Sequence, residues 1–258
     1  MVEVFRALRE ELVIRGFSKK TVKAYEYWIE RFLRGGVSKR EFLLRLVQNS
    51  KSPETVRSAS AAIDFHTVHV LKRKQEFVPL PKRKKTLPVV LTKEDVKRMI
   101  DTTANVKHKL IIELLYSSGL RLSELQNLTV ETIDSVNGTL LVRNGKGGKD
   151  RMTIISKKLA ERVRSLVPAG RVLEGRNGKK YHEKSVQSVI EQATKRAGIR
   201  QKVTPHTLRH CFATHLLEQG TDIRYIQELL GHERLQTTQI YTRVAKNALQ
   251  KIRNPLDS

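Results

Sequence analysis

The segment from Thr204 to His210 places an imidazole and a guanidinium at a spacing that suits a phosphate. Thr204 can cap a helix and Pro205 can occupy its first position, so that His206 and Arg209 share one face at i and i+3. The planar fork of an arginine matches two phosphate oxygens, and a helix N-terminus adds positive potential. The other side carries Leu208, Phe212 and Leu216. This pattern predicts a helix that is half core and half anion-binding site.

Two further segments carry residues of the same kind. Arg121 stands at the entrance of a helix directly after a glycine turn, where Glu124 could orient it. By itself, this arginine is more typical of a surface residue paired with a carboxylate. Gly231 is expected to end another helix and to leave His232 exposed on the turn, and Tyr241 follows nine residues later.

Residues 1–77 are expected to form a small bundle of four helices. Helix starts are predicted at Ser18, at Ser38, and at Ser52 with Pro53 in the first helical position. The second helix has an apolar face at i, i+3 and i+4 spacing, formed by Val22, Tyr25, Ile29, Phe32 and Leu33. Residues 78–90 combine Pro79, Pro81 and Pro88 with the basic run 82–85 and predict an interdomain linker. The linker could be a solvated tether or could touch phosphates.

Residues 91–258 predict a second domain that is mainly α with a small β-sheet. Thr92 is a helix start, and the apolar run Leu110–Tyr116 is typical of a buried helix that ends at Gly119. The β-prone runs Thr139–Arg143 and Arg151–Ile155 flank a flexible basic tip, which indicates a hairpin. Helical patterns return at 183 and continue to 252.

The charge balance points to a polyanionic partner. The chain has 258 residues with 50 Lys and Arg against 26 Asp and Glu, a net charge of +24. A self-repulsion of this size favours nucleic acid as the partner, with anionic membranes or a merely basic, highly soluble protein as the alternatives. The single cysteine, Cys211, excludes an intramolecular disulfide and a multi-cysteine zinc site. The first thirty residues resemble neither a signal peptide nor a membrane span, so a cytoplasmic protein is expected.

Taken together, the chemical segments resemble those of the tyrosine recombinase, or phage integrase, family. The family pattern of Arg, Lys, His-x-x-Arg, His and Tyr is met in order by Arg121, Lys146, His206, Arg209, His232 and Tyr241. The helical region 21–32 is also similar to the family's amino-terminal core-binding domain, so the resemblance covers nearly the whole chain. The compact length looks most like the Xer branch, including its archaeal members.

The resemblance implies a role for each of these residues. Tyr241 would attack a DNA phosphodiester and form a 3′-phosphotyrosyl intermediate. The two arginines and His232 would stabilise the charge on the non-bridging oxygens. His206 would accept the tyrosine proton, and Lys146 would protonate the leaving 5′ oxygen, with Lys149 as the alternative. Neither a cofactor nor a metal is expected. His210 and His215 are expected to be packed or supporting groups, and Cys211 a small buried residue.

The resemblance also implies an assembly of several copies. The expected complex is a homotetramer on two DNA duplexes, without membrane contact. Beyond Tyr241, an apolar stripe of Ala245, Leu249 and Ile252 predicts a short basic helix that could dock on its own domain or on a neighbouring protomer. The biological task could be resolution of chromosome dimers or integration of a mobile element. A relaxing topoisomerase and a DNA-binding regulator without catalysis are the competing functions.

Overall fold

The computed structural model describes residues 2–82, 88–143, 145, 149–232 and 235–242. It divides the chain into two compact units, Met1–Lys85 and Thr86–Ser258. Lys146, residues 83–85 of the basic run and the apolar stripe of the tail lie outside the described residues. Among the described residues, no helix is long and apolar enough to cross a membrane.

The first unit is a helical bundle. Its helices are α1 (Val2–Ile14), α2 (Lys19–Gly35), α3 (Lys39–Gln48) and α4 (Pro53–Phe65), and a π-helical turn follows at His66–Val70. The three predicted helix starts are confirmed, because the hydroxyls of Ser18, Ser38 and Ser52 each accept a hydrogen bond from the backbone N–H three residues later.

The apolar face predicted for α2 is confirmed except at its last position. Val22 and Ile29 are buried in the bundle core, and Tyr25 and Phe32 pack against that core. Leu33, however, is exposed. Because Leu33 follows Ile29 by four residues, it lies only about 40° from it around the helix, so its exposure reflects what packs against the end of α2 and not its angular position.

The second unit is mainly helical around one small sheet. Its helices are α5 (Lys93–Asp101), α6 (Val106–Ser118), α7 (Leu122–Asn127), α8 (Lys157–Leu166), α9 (Glu183–Arg196), α10 (Pro205–Glu218), α11 (Ile223–Leu230) and α12 (Leu235–Thr238). Short 3₁₀ turns occur at Val130–Thr132 and Arg176–Gly178. The predicted helix starts at Thr92 and Thr204 and the predicted end of α6 at Gly119 are confirmed.

The sheet consists of β1 (Ile133–Asp134), β2 (Thr139–Val142) and β3 (Arg151–Ile154), antiparallel and in that order. Strands β2 and β3 confirm the predicted hairpin, whereas β1 was not expected from the sequence. Val142 pairs with Arg151, and Leu140 pairs with Thr153. Both members of each pair lie on the inner face of the sheet, so β3 presents an arginine and a threonine to the interior of the unit.

The core of the second unit is organised around α6, whose residues from Leu110 to Leu115 are largely buried. A smaller apolar cluster joins α10, α11 and the segment after α12, and consists of Phe212, Ala213, Ile226, Leu230 and Tyr241. This cluster fixes the end of α11 and Tyr241 against the same face of α10.

The described ends of the predicted linker 78–90 pack on their own units. Val78 and Leu80 contact the core of the first bundle, and the Arg57 guanidinium donates to the Pro81 carbonyl. At the other end, Val90 packs against the core of the second unit and Leu91 is buried in it.

Candidate active site

Helix α10 begins as the sequence predicts. The Thr204 hydroxyl accepts from the Thr207 backbone N–H, the Thr207 hydroxyl accepts from the Thr204 N–H, and Pro205 fills the first position. Arg209, one turn into this helix, is 3% exposed. Its guanidinium donates to the carbonyl oxygens of Gly119 and Leu230. These carbonyls lie at the carboxyl ends of α6 and α11, so Arg209 ties the two helix ends together.

Arg121 is the residue that caps α7, and Glu124 holds it there. The Glu124 carboxylate accepts from the Arg121 backbone N–H at 2.7 Å and from Nη1 of the same residue at 2.8 Å. The expectation that Glu124 orients Arg121 is therefore confirmed. The other terminal nitrogen, Nη2, donates to the Gly231 carbonyl at 3.0 Å.

A third arginine, Arg151 at the start of β3, completes the group and was missed by the sequence analysis. Its Nη1 and Nη2 donate to the two oxygens of Glu124, both at 2.7 Å, and its Nε donates to the Leu229 carbonyl at 2.9 Å. We call Arg121, Arg151 and Arg209 the arginine cluster. The sequence signal at this strand points the other way: alternation would turn the apolar Met152 and Ile154 inward, whereas the structure turns Arg151 and Thr153 inward.

The carboxyl end of α11 organises this cluster. The carbonyls of Leu229, Leu230 and Gly231 are consecutive, and each accepts from a different arginine of the cluster. The last carbonyls of a helix lack partners within the helix and carry partial negative charge. These carbonyls therefore accept hydrogen bonds from the guanidiniums and leave the positive charge of the guanidiniums unneutralised.

Gly231 allows this arrangement because it ends α11 in the left-handed conformation, with φ of 59°. A Cβ atom at this position would lie 2.7 Å from Cδ of Arg151. The prediction that Gly231 ends a helix is confirmed. The close approach of Arg151 is a second reason why a residue with a side chain would not fit at this position.

His232 is half-buried beside the arginine cluster, which corrects the expectation that it is exposed on the turn. Its Nε2 lies 3.3 Å from Nη2 of Arg209, and its Nδ1 lies 3.0 Å from the Thr238 hydroxyl. Because a guanidinium only donates, Nε2 accepts and the proton of the neutral ring is on Nδ1, which donates to Thr238. Burial and the two arginines Arg209 and Arg121 lower the pKa of His232 to about 3.

Tyr241 is 1% exposed, and its ring lies nearly parallel to that of His232 at a centroid distance of 6.4 Å. Its hydroxyl lies 3.1 Å from Nδ1 of His210. The expected partner was His206, one turn earlier on α10, whose ring centroid is 6.5 Å from that of His210. The structure therefore places His210, and not His206, against the tyrosine hydroxyl.

Electrostatics distinguish the site from an ordinary ion pair. The cluster has three guanidiniums and one carboxylate, Glu124, so an excess of two positive charges remains. Burial raises the pKa of Glu124, but hydrogen bonds from Arg151 and the Arg121 backbone outweigh it and hold the pKa at about 2. Burial and Arg209 also lower the pKa of His206, and burial, His206 and Arg209 lower that of His210 to about 4. A buried cationic site with neutral imidazoles is suited to an anion.

The remaining predicted residues have simpler surroundings. The His215 ring lies between the Tyr116 hydroxyl, at 2.7 Å from Nδ1, and the Leu91 carbonyl, at 3.0 Å from Nε2. Cys211 is buried and its sulfur accepts from the Leu91 N–H. Both residues are packed as expected. Lys146 lies outside the described residues, whereas Lys149 is exposed and its carbonyl accepts from the Gly145 N–H.

The sequence pattern that defines the phage integrase family matches residues 89–248. The chain belongs to the phage integrase family. It is 40% identical to the tyrosine recombinase XerA of Pyrococcus horikoshii, over 93% of this chain and 88% of that one. The resemblance to Xer-type tyrosine recombinases is thereby confirmed.

Solved structures support the same fold. A crystal structure of XerA recombinase superposes with a TM-score of 0.59 at 28% identity, over 98% of this chain and 99% of that one. The integrase of the transposon Tn1549, solved in complex with circular intermediate DNA, gives a TM-score of 0.73 at 20% identity, over 92% of this chain and 94% of that one. The expected fold class, a helical bundle followed by a mainly α catalytic domain with a small sheet, is confirmed.

Proposed function

We propose that this phage integrase family member is a site-specific tyrosine recombinase that cleaves and rejoins DNA, with Tyr241 as its nucleophile. The observation that carries the proposal is a buried tyrosine hydroxyl beside a buried excess of positive charge. A phosphodiester is the anion that both features suit. A tyrosine oxygen can attack its phosphorus, and fixed guanidiniums can stabilise the charge that develops on its non-bridging oxygens.

The arginine cluster is already assembled without DNA, and this preorganisation supports a catalytic role. Each guanidinium is held by Glu124 or by helix-terminal carbonyls, so binding a phosphate requires no large rearrangement of the cations. Such preorganised charge is typically worth a factor of about 10² to 10³ in rate for each donor.

We assign Arg121 and Arg209 to the non-bridging oxygens, with Arg151 holding Glu124 behind them.

The histidines near the cluster suit hydrogen bonding to the same phosphate. His206 lies close enough to Arg209 and Arg121 for both to lower its pKa, so its neutral ring can donate one hydrogen bond to an oxygen bound there. His232 would require a small rotation away from Thr238 or Arg209 to do the same. Lys146 remains the proposed general acid for the 5′ oxygen, with Lys149 as its alternative.

The charge of the whole chain supports DNA as the substrate. A net charge of +24 is enough to bind a polyanion without sequence preference. We assign residues 1–77 to an amino-terminal DNA-binding domain and residues 91–258 to the catalytic domain, joined by the linker 78–90. Binding should weaken with salt by a log-log slope of about 0.9 for each phosphate contact.

A finer proposal rests on the resemblance to the Xer branch: resolution of chromosome dimers in the cytoplasm by a tetramer on two DNA sites. Integration or excision of a mobile element is the alternative to that task. Both tasks use the same strand-transfer reaction, so they are distinguished by the DNA sites that recombine. Recombination between two copies of a chromosomal site would support dimer resolution, and recombination with the ends of a mobile element would support integration or excision.

The test is to incubate the protein with a labelled, nicked DNA carrying its site and to look for a denaturant-resistant adduct. The wild type should form the adduct, and Tyr241→Phe should bind the same DNA without forming it. Tight binding without any adduct would replace the proposal by a DNA-binding regulator. An adduct that relaxes supercoils but never exchanges strands between two marked duplexes would replace it by a topoisomerase.

A further inference from the structure

The side chain next to the Tyr241 hydroxyl is that of His210. The His210 ring lies on α10 directly after Arg209, and its Nδ1 is 3.1 Å from the Tyr241 hydroxyl. The two ring centroids are 5.4 Å apart, and the ring planes are inclined by 56°. The 3.1 Å separation puts the hydroxyl within hydrogen-bond distance of Nδ1, which can accept its proton when the ring proton is on Nε2.

Tyr241 must lose its proton when its oxygen attacks phosphorus, so a neighbouring group has to accept that proton. The tyrosine is 1% exposed, so bulk water has little access to the hydroxyl. Within the described part of the chain, the hydrogen-bond partner of the hydroxyl is His210.

The two other histidines of the site are poorer acceptors. His232 has no unused nitrogen, because Nε2 accepts from Arg209 and Nδ1 donates to Thr238. His206 lies one helical turn before His210, with its ring centroid 6.5 Å from that of His210. His206 also lies close to Arg209 and Arg121, which lower its pKa. A phosphate bound at these arginines would accept a hydrogen bond from His206, which makes this ring a poorer acceptor for the tyrosine proton.

We propose that His210 accepts the proton of Tyr241 during DNA cleavage and returns it during rejoining. The inference rests on the proposed function and names a further catalytic residue for it. In cleavage, the bond between the tyrosine oxygen and phosphorus forms while the bond from phosphorus to O5′ breaks. The tyrosine proton moves to Nδ1 of His210, and the O5′ atom receives a proton from the general acid. Rejoining reverses each transfer, so the same imidazolium protonates the departing tyrosine oxygen.

The surroundings of His210 keep the nucleophile inactive until a phosphate is present. His210 is faced by His206 and Arg209 on α10, by His232 after α11 and by Tyr241 after α12. Burial, His206 and Arg209 lower the pKa of His210 to about 4, while burial raises the pKa of Tyr241. Proton transfer is therefore strongly unfavourable in the free protein. A phosphate in the arginine cluster would offset the positive charge and raise the pKa of His210.

The test compares His210→Asn with His206→Asn in single-turnover cleavage of the nicked DNA. The amide oxygen of the substituted side chain could still accept a hydrogen bond at the position of the His210 Nδ1 atom, but it cannot take the proton. His210→Asn should reduce cleavage and rejoining by about 10² to 10⁴ at neutral pH, with unchanged DNA affinity. The remaining rate should rise about tenfold per pH unit below the pKa of Tyr241, because only the fraction of tyrosine that is already ionised can then attack.

A DNA with sulfur in place of the bridging 5′ oxygen separates the base from the acid. A thiolate leaves without protonation, so this DNA should restore cleavage by a Lys146→Met variant but not by His210→Asn. Restoration of His210→Asn, or cleavage by this variant at the wild-type rate, would overturn the proposal. Absence of any adduct with the wild type would instead refute the proposed function itself.

A measurement on the wild type keeps the proposal testable if the variant does not fold. Nitrogen NMR of histidine-labelled protein should find His210 neutral at pH 7 with its proton on Nε2, leaving Nδ1 free to accept. A ring with its proton on Nδ1 would donate to Tyr241 and could not be its base. That result would overturn the assignment.

Discussion

The arginine cluster and Tyr241, the two halves of the candidate active site, are held by different numbers of contacts. Each guanidinium of the arginine cluster has at least two partners, drawn from Glu124 and from the carbonyls at the ends of α6 and α11. The Tyr241 hydroxyl has one hydrogen-bond partner among the described residues, His210. The guanidiniums are thus fixed by the fold, whereas Tyr241, the proposed nucleophile, depends on one hydrogen bond and on packing. Variants on the two sides should therefore differ in whether they change stability or activity.

The largest effect is expected at Glu124, the carboxylate that the arginine cluster shares. Glu124→Ala would leave three guanidiniums without their counter-charge, and removing one partner of a buried ion pair typically costs about 3 to 5 kcal/mol. The free energy of unfolding in urea should fall by an amount of that order. Glu124→Gln, which keeps the shape, should lose less.

The matched control is Glu191→Ala, which removes an exposed carboxylate from a surface pair with Lys195. Its unfolding curve should coincide with that of the wild type. If Glu124→Ala were equally harmless, the cluster would not depend on its carboxylate and the contrast between the two halves would fail.

The next effect concerns the glycine that brings α11 to the cluster. Gly231→Ala combines a left-handed backbone with a Cβ that would lie 2.7 Å from Cδ of Arg151. Gly198→Ala shares the positive φ, 67° against 59°, but its Cβ would meet nothing within 4 Å. Both should lose about 1 kcal/mol to backbone strain, and Gly231→Ala should lose roughly 1 to 3 kcal/mol more from overpacking. Equal losses in thermal melts would show that Arg151 moves aside freely.

A smaller effect follows from the depressed pKa values of the histidines on the nucleophile side. The unfolded chain binds protons at these residues near pH 6.5, whereas folded His210 and His232 resist protonation until about pH 4 and about pH 3. Stability should therefore decrease as pH falls from 7 to 5.5, by roughly 0.7 kcal/mol per pH unit for each histidine after allowance for partial exposure. Urea unfolding across this range measures the slope, and His210→Asn should make it shallower. A flat profile would contradict the assigned surroundings.

The smallest effect is expected where one hydroxyl supports His232. Thr238→Val keeps the shape but removes the acceptor that lies 3.0 Å from Nδ1 of His232. The loss of one hydrogen bond should cost about 1 kcal/mol and lower single-turnover cleavage by up to about tenfold. Thr237→Val, on the exposed side of the same helix, is the control and should leave cleavage unchanged. Similar rates for the two variants would mean that Thr238 does not orient His232.

Much of the fold could be predicted from the sequence because its signals are local. Ser18, Ser38 and Ser52 stand three residues before the N–H groups they cap, so the helix starts are written in consecutive residues. The short strand β1 was missed, because two residues carry no alternation and the strand exists only by pairing with Leu140 and Thr139. Leu33 was misplaced because the width of a buried stripe depends on what packs against it.

The candidate site also combines residues that local sequence patterns predict with residues that only packing brings together. Arg121, Arg209, His232 and Tyr241 were recognised by their order and spacing, and the structure brings them together in one unit. Arg151 was overlooked because a strand with exposed Met152 and Ile154 reverses the usual rule that apolar residues face inward. The role of His210 could not be predicted because the His-x-x-Arg pattern is met by His206, four residues earlier on the same helix face, and no local pattern shows which of the two meets Tyr241.

The sequence by itself determined the family, the chemistry and the position of the helices, since these depend on residue types and on separations of a few residues. The tertiary structure decided which histidine meets Tyr241 and which carbonyls hold the arginine cluster. Those contacts join residues 90 apart, as for Arg209 and Gly119, or 78 apart, as for Arg151 and Leu229. Such contacts depend on how helix ends pack against one another, and no local pattern encodes that packing.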